Sequence, residues 1–285
     1  MKLLVFLLLP CLSLGKVSPG FGNCTEFFLN KDPPEFTPQW GTTVEKICQC
    51  VRHDKKKITY HYATLYNTDW KIPIYSAYVF HGYASVARVD RWYIEPQLDG
   101  HTEECMAPKQ LKTINNQAVK SDYEVSYMLG NEEICYDKGH LYPVQHTHDE
   151  FSMLATSTLT NAAPQNSCFN QRKWNQHEKV VIKDLESCSN AYVVTGVVPD
   201  LTKPKLNNKV PVSMYYWRAT CCLKNSVYTG KGYFGPDNNN KVKQLSIKDL
   251  QNQLAKDYNV TKVVIFPSLP TPPGSKRPLV NVGCV

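Results

Sequence analysis

The sequence predicts an α+β domain built on a mainly antiparallel central sheet flanked by helices. Three observations predict it. Strand-like runs outnumber helical ones, hairpin-like connections join several of them, and no internal repeat or low-complexity linker divides the chain. The 285 residues are ample for one large domain with a substantial core.

Residues 16–57 read as irregular, with Pro33, Pro34 and Pro38 interrupting any regular pattern. Ile58 to Tyr66 is rich in β-branched and aromatic residues and reads as a strand. Asn67-Thr68-Asp69 makes a turn, and Lys71 to Phe80 returns as a second strand, with Pro73 near its start where proline is tolerated. Further strands are expected at Ala191 to Val198, Ser213 to Leu223, Val227 to Phe234 and Lys262 to Phe266. A helix is expected over Gln171 to Glu186, where Trp174, Val181, Ile182 and Leu185 fall at helical spacing. Ser246-Ile247-Lys248-Asp249 resembles a capping box with a short acid, opening a helix to about Tyr258. The tail after Pro267 is proline-rich and expected to be extended, ending near Cys284.

The first 15 residues read as a secretory leader: Lys2 is the basic start, Leu3 to Leu9 the apolar stretch, and Ser13 and Gly15 the small residues before a cut. This stretch is too short to span a bilayer, which needs about 20 apolar residues. The expected product is a secreted, extracellular single domain, residues 16–285, with no membrane anchor. Of the 11 cysteines, Cys11 leaves with the leader and an even number remains, which in an exported chain implies disulfides. Neither Cys48-Gln49-Cys50 nor Cys221-Cys222 has the spacing of a zinc site. Asn23-Cys24-Thr25 and Asn259-Val260-Thr261 are glycosylation sequons. The net charge of +7 (+6 without Lys2) mildly favours a polyanionic partner, and Arg52 to Lys57 is the densest basic run. A solvated turn explains that run equally well.

The informative stretch begins Asp137-Lys138-Gly139-His140. It continues Thr160-Asn161-Ala162-Ala163-Pro164-Gln165 and ends Asn170-Gln171-Arg172-Lys173-Trp174, followed by Glu178. In isolation each residue has an ordinary explanation. Asn170 could cap the helix expected from Gln171, Glu178 could be an exposed helix acid, and Trp174 fits core packing better than base stacking. His146-Thr147-His148 hints at a transition-metal cluster but lacks a carboxylate at the usual spacing. In order and separation, however, the three blocks closely resemble the DNA/RNA non-specific endonucleases, the ββα-metal or His-Me finger nucleases. The resemblance extends through Ile72 to Tyr78, Trp92 to Leu98 and the late helix, and so covers most of the chain.

That resemblance implies a chemistry the residue types suit. Phosphodiester hydrolysis needs a deprotonated water and charge neutralisation at the phosphate. Imidazole, with an ordinary pKa of about 6.5, is suited to the first task, and the resemblance gives that role to His140. A hard divalent cation meets the second. Mg²⁺ takes oxygen ligands, as Mn²⁺ and Ca²⁺ also do. The resemblance makes Asn170 the direct metal ligand, sets Glu178 on metal-bound water and has Asn161 orient the site. Eight positions separate Asn170 from Glu178, about two helical turns, so both can face one side of a helix. The family's arginine after Asp137 is Lys138 here, a point charge rather than a bidentate fork. A second phosphate-binding arginine falls at Arg91 or Arg88, with Arg91 favoured. The implied activity is cleavage of DNA and RNA through backbone phosphate contacts, which carry no sequence information. The alternative is a weakened nuclease fold that binds extracellular nucleic acid or a protein partner.

Overall fold

The computed structural model describes residues 17–18, 20–38, 43–53, 57–84, 91–108, 113–129, 132–238 and 240–269. Residues 1–15, expected to be a leader, and the tail with Cys284 lie outside them, as does Arg88. One eight-stranded antiparallel sheet organises these residues. Its strands are β1 (Val17–Ser18), β2 (Val44–Arg52), β3 (Ile58–Asn67) and β4 (Ile72–Val79), then, in chain order, β7 (Asn190–Pro199), β8 (Ser213–Lys224), β9 (Val227–Pro236) and β10 (Lys243–Leu245). They lie side by side as β1-β2-β3-β4-β7-β8-β9-β10. A separate antiparallel pair, β5 (Tyr136–His140) and β6 (Ala162–Asn166), sets His140 opposite Ala162 and Tyr136 opposite Asn166.

Among the described residues three α-helices lie against the sheet. α1 (Glu150–Thr156) is capped by Asp149, whose carboxylate accepts from Ser152 N–H. α2 (Asn175–Leu185) is entered without a break from a π-helical segment, Phe169–Trp174. α3 (Ile247–Asp257) opens on Ser246, whose Oγ accepts from Asp249 N–H at 3.0 Å and donates to the Asp249 carboxylate at 2.6 Å. The Ser246 half of the box read from the sequence therefore forms, and the short acid meets the serine hydroxyl instead of the Ser246 N–H.

Strand alternation divides the core between the two sheet faces. Val194 and Val198 of β7 join Tyr215, Trp217 and Ala219 of β8 against Leu250, Leu254 and Tyr258 of the α3 region. The intervening residues Val197 and Tyr216 face the other way, onto Phe169 and Trp174. Val193 shares that second face with Val181 and Leu185 of α2. The same alternation separates Cys221, buried and unbonded, from its neighbour Cys222, which is bonded to Cys188. Cys48 and Cys50 likewise have different partners, Cys24 and Cys105, across a register shift between Gln49 and Cys50.

Two sequence expectations require correction. The stretch read as irregular contains β2, a nine-residue strand. Its apolar positions Ile47, Cys48, Cys50 and Val51 do not alternate strictly, because the strand is covered along most of its length. Conversely, Lys262 to Phe266 forms no strand, only a single bridge between Val264 and Glu35. Its Val263, Ile265 and Phe266 are apolar because they plug the α3-side core.

Candidate active site

The β5–β6 pair and the helix after it converge on a cavity of about 670 Å³. Lys138 and His140 reach it from β5, Asn170 from the π segment, and Glu178 from α2. Trp92 forms part of the wall, its ring centroid 4.8 Å from that of His140. Lys138 Nζ lies over two aromatic faces, 5.5 Å from the centre of Trp92 and 5.9 Å from that of Tyr123. These rings hold the ammonium by cation–π attraction.

Gly139 is required by packing. A Cβ there would lie 2.5 Å from the Tyr216 hydroxyl and from Gln165. Tyr216 donates to Ala163 O at 2.8 Å from beneath the pair. The strand carrying His140 therefore rests directly on the sheet, and this close approach fixes its height.

Asn170 is not the helix cap. Asn166 takes that role, its Oδ1 accepting from Cys168 N–H at 3.0 Å and Phe169 N–H at 3.2 Å. Asn170 lies inside the helix, where its Nδ2 donates to Asp137 Oδ2 at 2.9 Å. A carboxylate only accepts, so this bond fixes which end of the amide is which: nitrogen toward Asp137, Oδ1 left for the cavity. Gln171 Nε2 and Ser167 Oγ also donate to Asp137, at 3.0 and 2.9 Å. Asp137 thus orients the amide, a role that the sequence did not assign although Asp137 heads the motif.

The π segment aligns Asn170 with Glu178. In a regular helix each residue turns about 100°, so eight steps leave the two side chains about 80° apart. A π turn accommodates one extra residue. The effective spacing becomes seven, and the offset shrinks to about 20°.

Glu178 is 8% exposed, and burial pushes its carboxyl up to about 7, opposed by the Arg218 guanidinium. Arg218 Nη2 lies 3.5 Å from Glu178 Oε1, too long for a good hydrogen bond, so the contact is chiefly electrostatic. Arg218 is fully buried on β8. Its Nε donates to Thr195 Oγ1 at 2.9 Å and its guanidinium stacks 4.8 Å from the centre of the Trp174 ring. Sequence reading missed it: one arginine in an aromatic strand carries no sign of its orientation. His146 is buried behind the same helix. It accepts from the Tyr78 hydroxyl at Nδ1 (2.7 Å) and donates from Nε2 to Glu178 O (3.1 Å). Burial and Arg218 hold its pKa well below the ordinary value, so the ring is neutral and structural.

The remaining candidates are placed differently. Asn161 is fully buried and does not line the cavity. Its Oδ1 accepts from Tyr142 N–H at 3.0 Å, and its Nδ2 donates to Tyr142 O and Thr156 O at 3.0 and 2.9 Å. It clamps the backbone just beyond His140. Arg91 is exposed beside Trp92, outside the cavity lining. Trp174 is fully buried in the core. Among the described residues, no group of three or more His, Cys, Asp or Glu is arranged to hold a metal. An ion in the cavity would therefore depend on the Asn170 amide oxygen, the nearby Glu178 carboxylate and water. Such a hard-oxygen, water-rich set fits Mg²⁺ and its relatives, not zinc.

Comparison with known proteins places this arrangement among relatives. The family model described as DNA/RNA non-specific endonuclease matches residues 42–271. The human endonuclease domain-containing 1 protein is 29% identical over 253 residues, covering 85% of this chain and 47% of the relative. The mouse protein of that name is 29% identical over 215 residues, covering 71% of this chain and 39% of the relative. The chain therefore spans less than half the length of these two proteins. Among solved structures, a chain from the EndoG/EndoGI complex, a study of EndoG inhibition, superposes with a TM-score of 0.52 at 19% identity. The match covers 78% of this chain and 86% of that one, and shows a shared ββα-metal nuclease fold.

Proposed function

The chain belongs to the DNA/RNA non-specific endonuclease family, and from that premise we propose that it is a secreted, metal-dependent endonuclease cutting DNA and RNA without sequence preference. One observation carries the reading: His140 and Lys138 from one strand, and Asn170 and Glu178 from one helix, line the same cavity.

In this reading His140 is the general base, taking the proton of the attacking water. Its strand is seated on the sheet by Gly139 and clamped by Asn161, so the ring meets substrate in a fixed position. Asn170, turned by Asp137, offers a neutral amide oxygen to a divalent cation, Mg²⁺ first, with Mn²⁺ or Ca²⁺ also suited. When bound, such a cation neutralises phosphate charge and supplies ordered water. Glu178, ionised against Arg218, would accept hydrogen bonds from that water and fix its orientation. Lys138 and Arg91 supply positive charge for the phosphate backbone. Contacts of this kind hold any sequence, and binding weakens with salt through counterion release.

The three described disulfides fit an oxidising, extracellular setting. Both sequon asparagines, Asn23 and Asn259, are exposed. Among the described residues no helix is long and apolar enough to cross a membrane.

The test is digestion of supercoiled plasmid and of an RNA, with Mg²⁺ and with chelator. The expected result is Mg²⁺-dependent cleavage of both, lowered about 10²–10⁴-fold by His140→Ala. A purified protein without metal-dependent cleavage, or a His140→Ala variant as active as wild type, refutes the reading. Lys138 supports a second one, a weakened nuclease fold that binds nucleic acid or a protein partner, because its ammonium is engaged by Trp92 and Tyr123. Lys138→Arg discriminates: a gain from a measurable rate marks an enzyme, and no rate in either form marks a binder.

A further inference from the structure

Three disulfides cross-link the described residues, and two exposed thiols remain, Cys135 and Cys168, each within two residues of the cavity lining. The β5–β6 register places Tyr136 opposite Asn166, and Ser167 extends it. Ser167 N–H donates to Cys135 O at 3.1 Å. Residues bonded across an antiparallel pair have Cα atoms about 5.5 Å apart, and Cys168 is a single step of about 3.8 Å further on. Its backbone is already helical (φ −66°, ψ −40°), so the chain turns there instead of running on past Cys135. A disulfide requires Cα atoms about 4.4–6.8 Å apart, and a turn beginning one residue after a partner bonded to Cys135 keeps Cys168 in that neighbourhood.

We propose that Cys135 and Cys168 form a fourth disulfide, clamping the strand that carries His140 to the entrance of the helix that carries Asn170. Each thiol gives up its proton, a sulfur–sulfur bond forms, and two electrons pass to a disulfide-bearing oxidant of the thiol–disulfide oxidoreductase class, which is reduced to two thiols. The oxidising setting that forms the other three bonds provides such an oxidant, and exposure gives it access.

The bond would act directly on the site. Asp137 lies two residues from Cys135, Asn170 two residues from Cys168, and the two are joined by the hydrogen bond that orients the amide. The cross-link keeps these partners in register, and reduction would loosen them. That consequence rests on the metal role given to Asn170 above; the existence of the bond does not.

The test uses the full chain produced with its disulfides, its free thiols blocked before unreduced digestion and peptide mass mapping. The expected product is a Cys135 peptide linked to a Cys168 peptide. Blocking of both thiols with the other three cross-links intact, or linkage of either to a different cysteine, overturns the proposal. The double variant Cys135→Ser/Cys168→Ser opens a loop of about 30 residues. It should lower Tm by roughly 5–10 °C and weaken Mn²⁺ binding about 10-fold. An unchanged Tm or unchanged Mn²⁺ binding overturns the clamp. A wild-type protein that binds no Mn²⁺ defeats instead the metal reading of Asn170, leaving the mapping result to stand by itself.

Discussion

Replacing Arg218 with methionine should destabilise the protein in a way that depends on pH. The substitution keeps most of the buried volume but removes the cation facing Glu178. In the native protein burial holds the Glu178 carboxyl at about 7, against an ordinary value near 4.5. A shift of one unit corresponds to about 1.4 kcal/mol, so ionised Glu178 already costs the fold about 3 kcal/mol. The sign follows from linkage. A raised carboxyl favours the folded state fully below about pH 4.5, and that contribution is lost as pH rises through about 7. Without Arg218 the carboxyl titrates higher still, and the loss continues above pH 7. His146 and His177 face the same guanidinium. Burial, first, and Arg218, second, depress both, so they gain basicity in the variant and ease its penalty in acid. Urea unfolding of wild type and Arg218→Met, without divalent ions, at pH 5 and pH 8.5 measures the difference. The expected destabilisation is about 3–5 kcal/mol at pH 8.5, the scale for breaking a buried pair, and clearly smaller at pH 5. Equal destabilisation at both values would refute the electrostatic account and leave Arg218 as packing alone.

Asp137→Ala should raise the Kd for Mn²⁺ about 10–100-fold, because the Asn170 amide loses the acceptor that fixes its orientation; calorimetric titration checks this. Gly139→Ala should cost about 1–3 kcal/mol through the clash with Gln165 and Tyr216, read as a fall in Tm. Asn161→Ala should cost about 2–3 kcal/mol, since it leaves buried Tyr142 N–H and two carbonyls without partners, and it should change Mn²⁺ affinity much less than Asp137→Ala does. On the proposed activity, cleavage should decline as pH falls below about 7, because Glu178 takes up a proton and ceases to be a pure acceptor; a rate profile flat from pH 8 to pH 5.5 contradicts this.

The sequence showed β3, β4, β7, β8 and β9 because each is a run rich in β-branched or aromatic residues. Asn67 closes one, its Oδ1 accepting from Asp69 and Trp70 N–H. It hid β2, whose near-continuous cover removes the alternation that marks a strand. It also hid β5 and β6, short segments in which Asp137, Lys138, Gly139, Pro164 and Gln165 have little intrinsic β preference. They pair because the sheet beneath and Asn161 beside them hold the chain extended. His140, Asn170 and Glu178 were legible through motif order. Asp137's hold on Asn170 and Arg218's hold on Glu178 were not, because both depend on which atoms meet across 33 and 40 positions of chain.

The widened turn at Phe169–Trp174 has a consequence for how the protein tolerates changes in length. A helix with one residue more per turn than it needs can lose that residue and remain a helix, closing into the regular form with its hydrogen-bond ladder improved. Fold and stability would survive such a deletion, and thermal melting would not register it as damage. The two side chains aimed into the cavity would stay in line as well, because a deletion between them leaves seven regular steps, an offset of about 20°. A chain shortened by one residue there could thus keep both fold and alignment, whereas closing the wide turn without a deletion would swing the two side chains about 80° apart.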